Sequence, residues 1–167
     1  MNLNELYKLE KKDIAHSAEL MSRAFYDYPL FKYILGNKHN EENMNKVLKF
    51  LIKYGVLYGQ VYANSADIEG IILFSDYRDY KFTFYRTLRA GGLSLSKLGA
   101  DVGKRFSEYE SFTENIHKKH VKKDHQYIIL LGVDPDKQGQ GYGKKLLNPI
   151  LEMAANKEQA TYLETHG

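Results

Sequence analysis

Apolar positions along the chain follow two rhythms, one helical and one of strands. From Lys11, Ile14, Ala18, Met21 and Phe25 recur at spacings of three and four, with Asp13 near the start, which predicts an amphipathic helix ending before Pro29. Residues 40–58 repeat the pattern through Met44, Val47, Leu48, Leu51, Ile52 and Leu57 and predict a second helix. Residues 3–10 alternate loosely and read as a short first strand. Residues 60–63 and 68–75 are β-rich runs around a turn at Asn64-Ser65, and the nearly continuous Ile71-Ile72-Leu73-Phe74 predicts a hairpin whose second strand is buried. Helical spacing returns between Tyr80 and His120, broken by Gly91-Gly92, so helices are expected on either side of that pair. Residues 127–133 (YIILLGV) form the strongest strand, interrupted by Gly132. Residues 141–156 predict a helix with Leu146, Leu147, Ile150, Leu151 and Ala154 on one face, and residues 160–165 close as a last strand. Pro149 should end or kink that helix at a cost of ~3 kcal/mol. The apolar period continues past it, so the helix is retained.

Composition narrows the setting. A chain of 167 residues is the size of one domain, expected here over residues 1–167, and should bury roughly 70% of its unfolded surface. Apolar residues make up 43% and charged residues 27%, and no apolar run approaches the ~20 residues that cross a bilayer. The first residues lack the apolar stretch and cleavage site of a signal peptide, so a soluble cytoplasmic protein is expected. There is no cysteine, which excludes disulfides, thiolate metal sites and a cysteinyl intermediate. The net charge of +3 is spread along the chain except for Lys118, Lys119, Lys122 and Lys123, and implies no nucleic-acid partner. That cluster reads as a solvated surface, with a phosphate contact as the alternative.

The chemistry is carried by Gln138-Gly139-Gln140-Gly141-Tyr142-Gly143, which follows the strong strand and opens a helix. The first amides of a helix have no internal partner, and the aligned peptide dipoles make that end positive. Glycines there let the backbone approach a phosphate closely, and Lys144 and Lys145 add positive charge. A Walker loop fails, because Gln138 and Lys145 stand where glycine and Ser or Thr are needed. A dinucleotide fingerprint fails in either register, at Lys144 or Leu146. A plain turn whose glycines only cap remains the bland alternative.

What is left, Q-x-x-G-x-G at Gln138, Gly141 and Gly143, resembles the signature of the GCN5-related N-acetyltransferase (GNAT) superfamily. The resemblance extends back through Leu131-Gly132-Val133-Asp134-Pro135 and forward through Leu146-Leu147-Asn148-Pro149 and Tyr162-Leu163-Glu164-Thr165. It implies an α/β fold of α+β type around a mixed sheet, with acetyl-CoA as co-substrate and no metal. Its pantetheine arm would lie between two splayed parallel strands and hydrogen-bond with Leu131 and Val133. The pyrophosphate would sit on Gln138, Gly139, Gln140, Gly141, Tyr142, Gly143 and Lys144. A bulge is expected at Gly132, with the Val133 N–H polarising the thioester carbonyl. The family pattern would continue beyond Gly167 with a short tyrosine-bearing helix and two more strands. A C-terminally truncated domain, or a partner subunit completing the open sheet edge, is therefore expected.

An attacking amine must lose a proton, and the first candidate acceptor is Glu164, with His125 second. His117, His120 and His125 invite a metal reading, but no carboxylate joins them at ligand spacing, so none is expected. Tyr26, Tyr28 and Tyr33, around the turn that follows the first helix, are candidates to stack on an acceptor, though core packing is the plainer role. The expected activity is direct acetyl transfer to a primary amine of a small molecule or peptide. A non-catalytic CoA-binding or oligomerisation module and a phosphate-binding protein unrelated to CoA are the alternatives.

Overall fold

In the computed structural model, which describes residues 3–121 and 123–165, a five-stranded mixed sheet carries helices on both faces. The strands lie in chain order: β1 (Tyr7–Lys8), β2 (Gln60–Ala63), β3 (Gly70–Asp76), β4 (His125–Val133) and β5 (Ala160–Leu163). Neighbours are antiparallel except β4 and β5, which run parallel. The continuous apolar run of β3 follows from burial on both faces: Ile71 and Leu73 enter one core, Ile72 and Phe74 the other. The expected first strand shrinks to two residues, because Leu3–Glu5 coil into a 3-10 turn. Lys122 of the lysine cluster lies outside the described residues.

On one face, α1 (Ile14–Ala24) packs against α3 (Glu41–Tyr58) and against the sheet. Asn40 starts α3 as predicted, its side-chain oxygen accepting the Asn43 N–H at 2.9 Å. On the other face, α7 (Tyr142–Asn156) buries Leu146 and Ile150 against Ile72, Phe74 and Ile128, and runs on through the buried Pro149. Two features were not foreseen. Pro29 opens a helix, α2 (Pro29–Leu35), in a position where its missing N–H costs nothing. The helical stretch after Tyr80 breaks twice, into α4 (Phe84–Ala90), α5 (Gly92–Ser96) and α6 (Ala100–His120). Gly91 and Gly99 adopt φ of 110° and 99° at the two breaks, which side-chain-bearing residues rarely do.

The irregularity in β4 is not at Gly132. Leu73 of β3 faces Leu130 while the next residue, Phe74, faces Ile128, so Ile129 is the extra residue of a bulge. Both Ile129 and Leu130 consequently pack toward the α1 and α3 side, whereas Ile128 and Leu131 pack toward α7. Gly132 pairs regularly with Ile71 and serves a different purpose. A Cβ there would come within 2.7 Å of Met21 Cε and Phe25 Cε2, so glycine is what lets α1 lie close on β4.

Candidate active site

β4 and β5 pair only from His125 with Ala160 to Ile128 with Leu163. Beyond Ile128 the upper half of β4 has β3 on one side and, among the described residues, no strand on the other. The Asp134 N–H bonds to the Glu69 carbonyl on the β3 side at 2.9 Å. Backbone polar groups alternate sides along a strand, so Leu131 and Val133 turn theirs away from β3, toward the gap. The Val133 carbonyl accepts there from Gln138 Nε2 at 3.3 Å. The two strands thus part into a splay edged by main-chain groups that face away from β3.

The splay leads to the start of α7. Its first internal bond runs from the Lys145 N–H to the Gly141 carbonyl at 3.1 Å, and no side chain caps the end. By contrast Asn40 caps α3, and Thr83 caps α4 by accepting the Arg86 N–H at 3.3 Å. Gly139 and Gly141 adopt φ of 76° and 82°, and the space where a Cβ would stand is open at both. Orphan amides, positive φ and open space are what an anion cradle requires and more than a turn needs. Lys145 rests its ammonium over the Tyr142 ring at 5.1 Å, beside this opening.

At the other end of the splay lies a cavity of about 290 Å³, walled by Phe25, Tyr28, Phe31 and Phe106 on one side and by Ile128, Ile129, Leu130 and Leu131 on the other. Two carboxylates enter it, Glu164 just past β5 and Glu110 from α6. Glu164 Oε2 accepts from Tyr109 at 3.4 Å and Tyr127 at 3.5 Å, while its Oε1 is buried without a hydrogen-bond partner. Tyr80 donates to Glu110 Oε1 at 3.4 Å. Burial, with the charge of Glu164 adding to it, pushes the Glu110 carboxyl up to about 7. Burial likewise raises Glu164, against the tyrosine hydrogen bonds that lower it.

Glu110 was not singled out from sequence. In α6 it stands among Glu108 and Glu114 with nothing local to distinguish it, and only the fold turns it inward. Tyr28 lines the cavity, but Tyr26 stacks with His39 at 4.6 Å, and Tyr33 is 51% exposed beside Glu108. His125 does not reach the cavity. Its Nε2 meets His117 Nε2, its Nδ1 contacts the Lys123 carbonyl at 2.7 Å, and Tyr77 stacks on both rings. Burial lowers His117 to about 4, and the charge of His125 adds to the shift. His120 is exposed, and among the described residues no three histidines or carboxylates converge on a point.

A loop that leaves helix amides bare, leading into a splay between parallel strands, is found together with matching relatives. The acetyltransferase (GNAT) family matches residues 94–166, from α5 through β5. Over that stretch the chain is similar to the GNAT acetyltransferases. An uncharacterized N-acetyltransferase of Schizosaccharomyces pombe is 28% identical, the match covering 95% of this chain and 67% of the relative. Two solved structures share the fold. One, from Corynebacterium glutamicum, is of the histone acetyltransferase HPA2 and related acetyltransferase type, with a TM-score of 0.60 at 18% identity over 98% of this chain and 78% of that one. The other, a candidate acetyltransferase from Pyrococcus horikoshii, has a TM-score of 0.61 at 17% identity over 97% and 80%. The family match and the relative support an acetyltransferase function, a reaction that needs an acceptor substrate. Among the described residues no helix is long and apolar enough to cross a membrane.

Proposed function

We propose that the chain, acting as one domain, transfers an acetyl group from acetyl-CoA directly to a primary amine. The bare amides of Tyr142, Gly143 and Lys144, with the loop through Gln138, Gly139, Gln140 and Gly141, hold the diphosphate by hydrogen bonds and the helix dipole. The flexible arm runs back along the polar edge of Leu131 and Val133, and the thioester reaches the cavity. That cavity touches Leu131 but stops short of Val133. We therefore move the carbonyl-polarising role from the Val133 amide to that of Leu131, leaving Val133 to hold the arm. A donor of this kind is typically worth about 3 to 4 kcal/mol to the transition state.

The amine arrives as an ammonium and pairs with Glu164, whose Oε1 has no other partner. Loss of one proton to the carboxylates frees the nitrogen lone pair. The C–N bond then forms as the C–S bond breaks. Of the two protons the nitrogen gives up, one ends on the departing thiolate and one leaves through the carboxylates. A base near neutral pKa is well matched to this task, and Glu110 at about 7 fits it.

The observation that carries this assignment is the pair of carboxylates, Glu110 and Glu164, that enter the cavity at the end of the splay. It is tested by thiol release from acetyl-CoA across an amine panel, alongside calorimetry with CoA. Release by the wild type, and its loss by 10²- to 10⁴-fold in Glu164→Gln with CoA affinity kept, is the expected result. CoA binding with no release across the panel would return the non-catalytic alternative.

A further inference from the structure

We infer that the acceptor is a small primary amine on an apolar, ring-bearing body that carries one positive charge and no carboxylate. The inference rests on the cavity being the acceptor end of the acetyl-transfer site. Its volume of about 290 Å³ lies at the bottom of the ~300–1,000 Å³ range of small-molecule sites, which suits one ring and a short linker better than a peptide. The far wall is aromatic and braced: Phe25 meets Tyr28 edge-on at 5.4 Å and Phe31 at 5.8 Å. Such edges offer a ring the offset or T-shaped contact it prefers.

Charge sets the rest. The cavity has carboxylates at one end, and no Lys, Arg or His is among the described residues lining it. A free amino acid would bring its own carboxylate against Glu110 and Glu164 with nothing to offset it. A diamine is disfavoured for a different reason. Burial disfavours charge on both Glu110 and Glu164, and no further carboxylate is among the described residues lining the cavity to meet a second ammonium. A second ammonium would have to leave water for an apolar wall. The adjoining cavity, reached past Tyr80, Glu110 and Tyr127, offers no second anchor. Glu114 there is already held by Lys118 at 2.6 Å, and Lys81 lines the same space.

Three ligands separate these cases: 2-phenylethylamine, phenylalanine, which adds a carboxylate to the same body, and 1,4-diaminobutane, which replaces the ring by a second amine. Calorimetry on the full chain with CoA present should show 2-phenylethylamine binding at least tenfold more tightly than either of the others. Phe106→Ala should weaken that binding and leave CoA affinity unchanged. Glu164→Gln should weaken it with the aromatic wall intact, so the case does not depend on one variant folding. Equal or tighter binding of phenylalanine or the diamine overturns the inference. Selective binding of 2-phenylethylamine without thiol release would leave the inference standing while removing the transfer assignment. Thiol release with the diamine alone would do the reverse.

Discussion

The two ends of the splay are built by opposite means. At the α7 end the groups proposed to meet the ligand are backbone amides within seven consecutive residues, left bare because glycines strip the loop and no side chain caps the helix. At the cavity end they are side chains drawn from α6, β4, the segment after β5 and the turn after α1, far apart in sequence and half-buried together. The α7 end is proposed to bind a diphosphate, for which local backbone geometry is enough. The cavity end, proposed to take the acceptor, holds two carboxyls where burial disfavours their charges, and this costs stability.

The largest expected effect falls on that acceptor end. Glu110→Gln should lower kcat by 10²-fold or more and remove the limb of the pH–rate profile that rises near pH 7, with CoA affinity unchanged. An unaltered profile in the variant would mean that the two ends do not divide the work as described.

Next comes a matching perturbation of the α7 end. Gly143 lies in the first turn of α7, where an added Cβ meets only Val133 Cγ2 at 3.8 Å. Gly143→Glu puts a negative charge where the helix dipole welcomes it for folding but where a diphosphate does not. CoA affinity should fall at least tenfold while the thermal midpoint holds or rises. This is a cleaner variant than one at Gly141, whose φ of 82° would strain any side-chain-bearing residue.

The stability cost of the acceptor end has a definite sign. Glu110 titrates higher in the folded chain, about 7, than its ordinary 4.5, so between those values the folded state holds a proton the unfolded state has lost. Stability therefore falls as pH rises from 4.5 to about 7 and then levels. The penalty is on the order of 3 kcal/mol from a shift of that size. Glu110→Gln should be more stable than wild type above pH 7, with a difference that shrinks toward pH 4.5. His117 acts oppositely. Lowered to about 4, it leaves the unfolded state binding a proton first as pH drops below 6.5, so its share of stability is lost between 6.5 and about 4. His117→Phe should flatten that acid slope in denaturant titrations, whatever its effect on absolute stability.

The smallest effect serves as a control for the uncapped end of α7. Asn40→Ala removes a real cap from α3 and should cost about 1 kcal/mol with no change in CoA affinity or turnover. A loss of turnover there would show that the α1 and α3 side couples to the site more strongly than its packing indicates.

What could be read from sequence divides along the same line. The cradle was legible because Gln138 to Lys144 are contiguous and their glycines have a local cause. So was α3, through the apolar period that runs from Met44 to Leu57. The bulge was not: seven consecutive residues of YIILLGV are apolar or glycine, so the run carries no sign of where the register slips. Gly132 drew attention as the odd residue, but its smallness answers Met21 and Phe25 from a distant helix. Pro29 marked the end of α1 correctly and concealed the start of α2, which at seven residues is too short to show a period. Glu110 was invisible because α6 is polar along most of its length, and burial, not residue type, sets it apart from Glu108. Glu164 was singled out through the family resemblance, and the structure places it in the cavity with Tyr109 and Tyr127 donating to its carboxylate.

The central claim is that one ligand spans both ends, with its diphosphate on α7 and its arm along the open edge of β4. Calorimetric titration with CoA and, separately, with 3′,5′-ADP, which lacks the arm, tests it most directly. CoA should bind distinctly more tightly, because Leu131 and Val133 contribute hydrogen bonds only to the longer ligand. Equal affinities would contradict the account, leaving a phosphate cradle at α7 and no role for the splay.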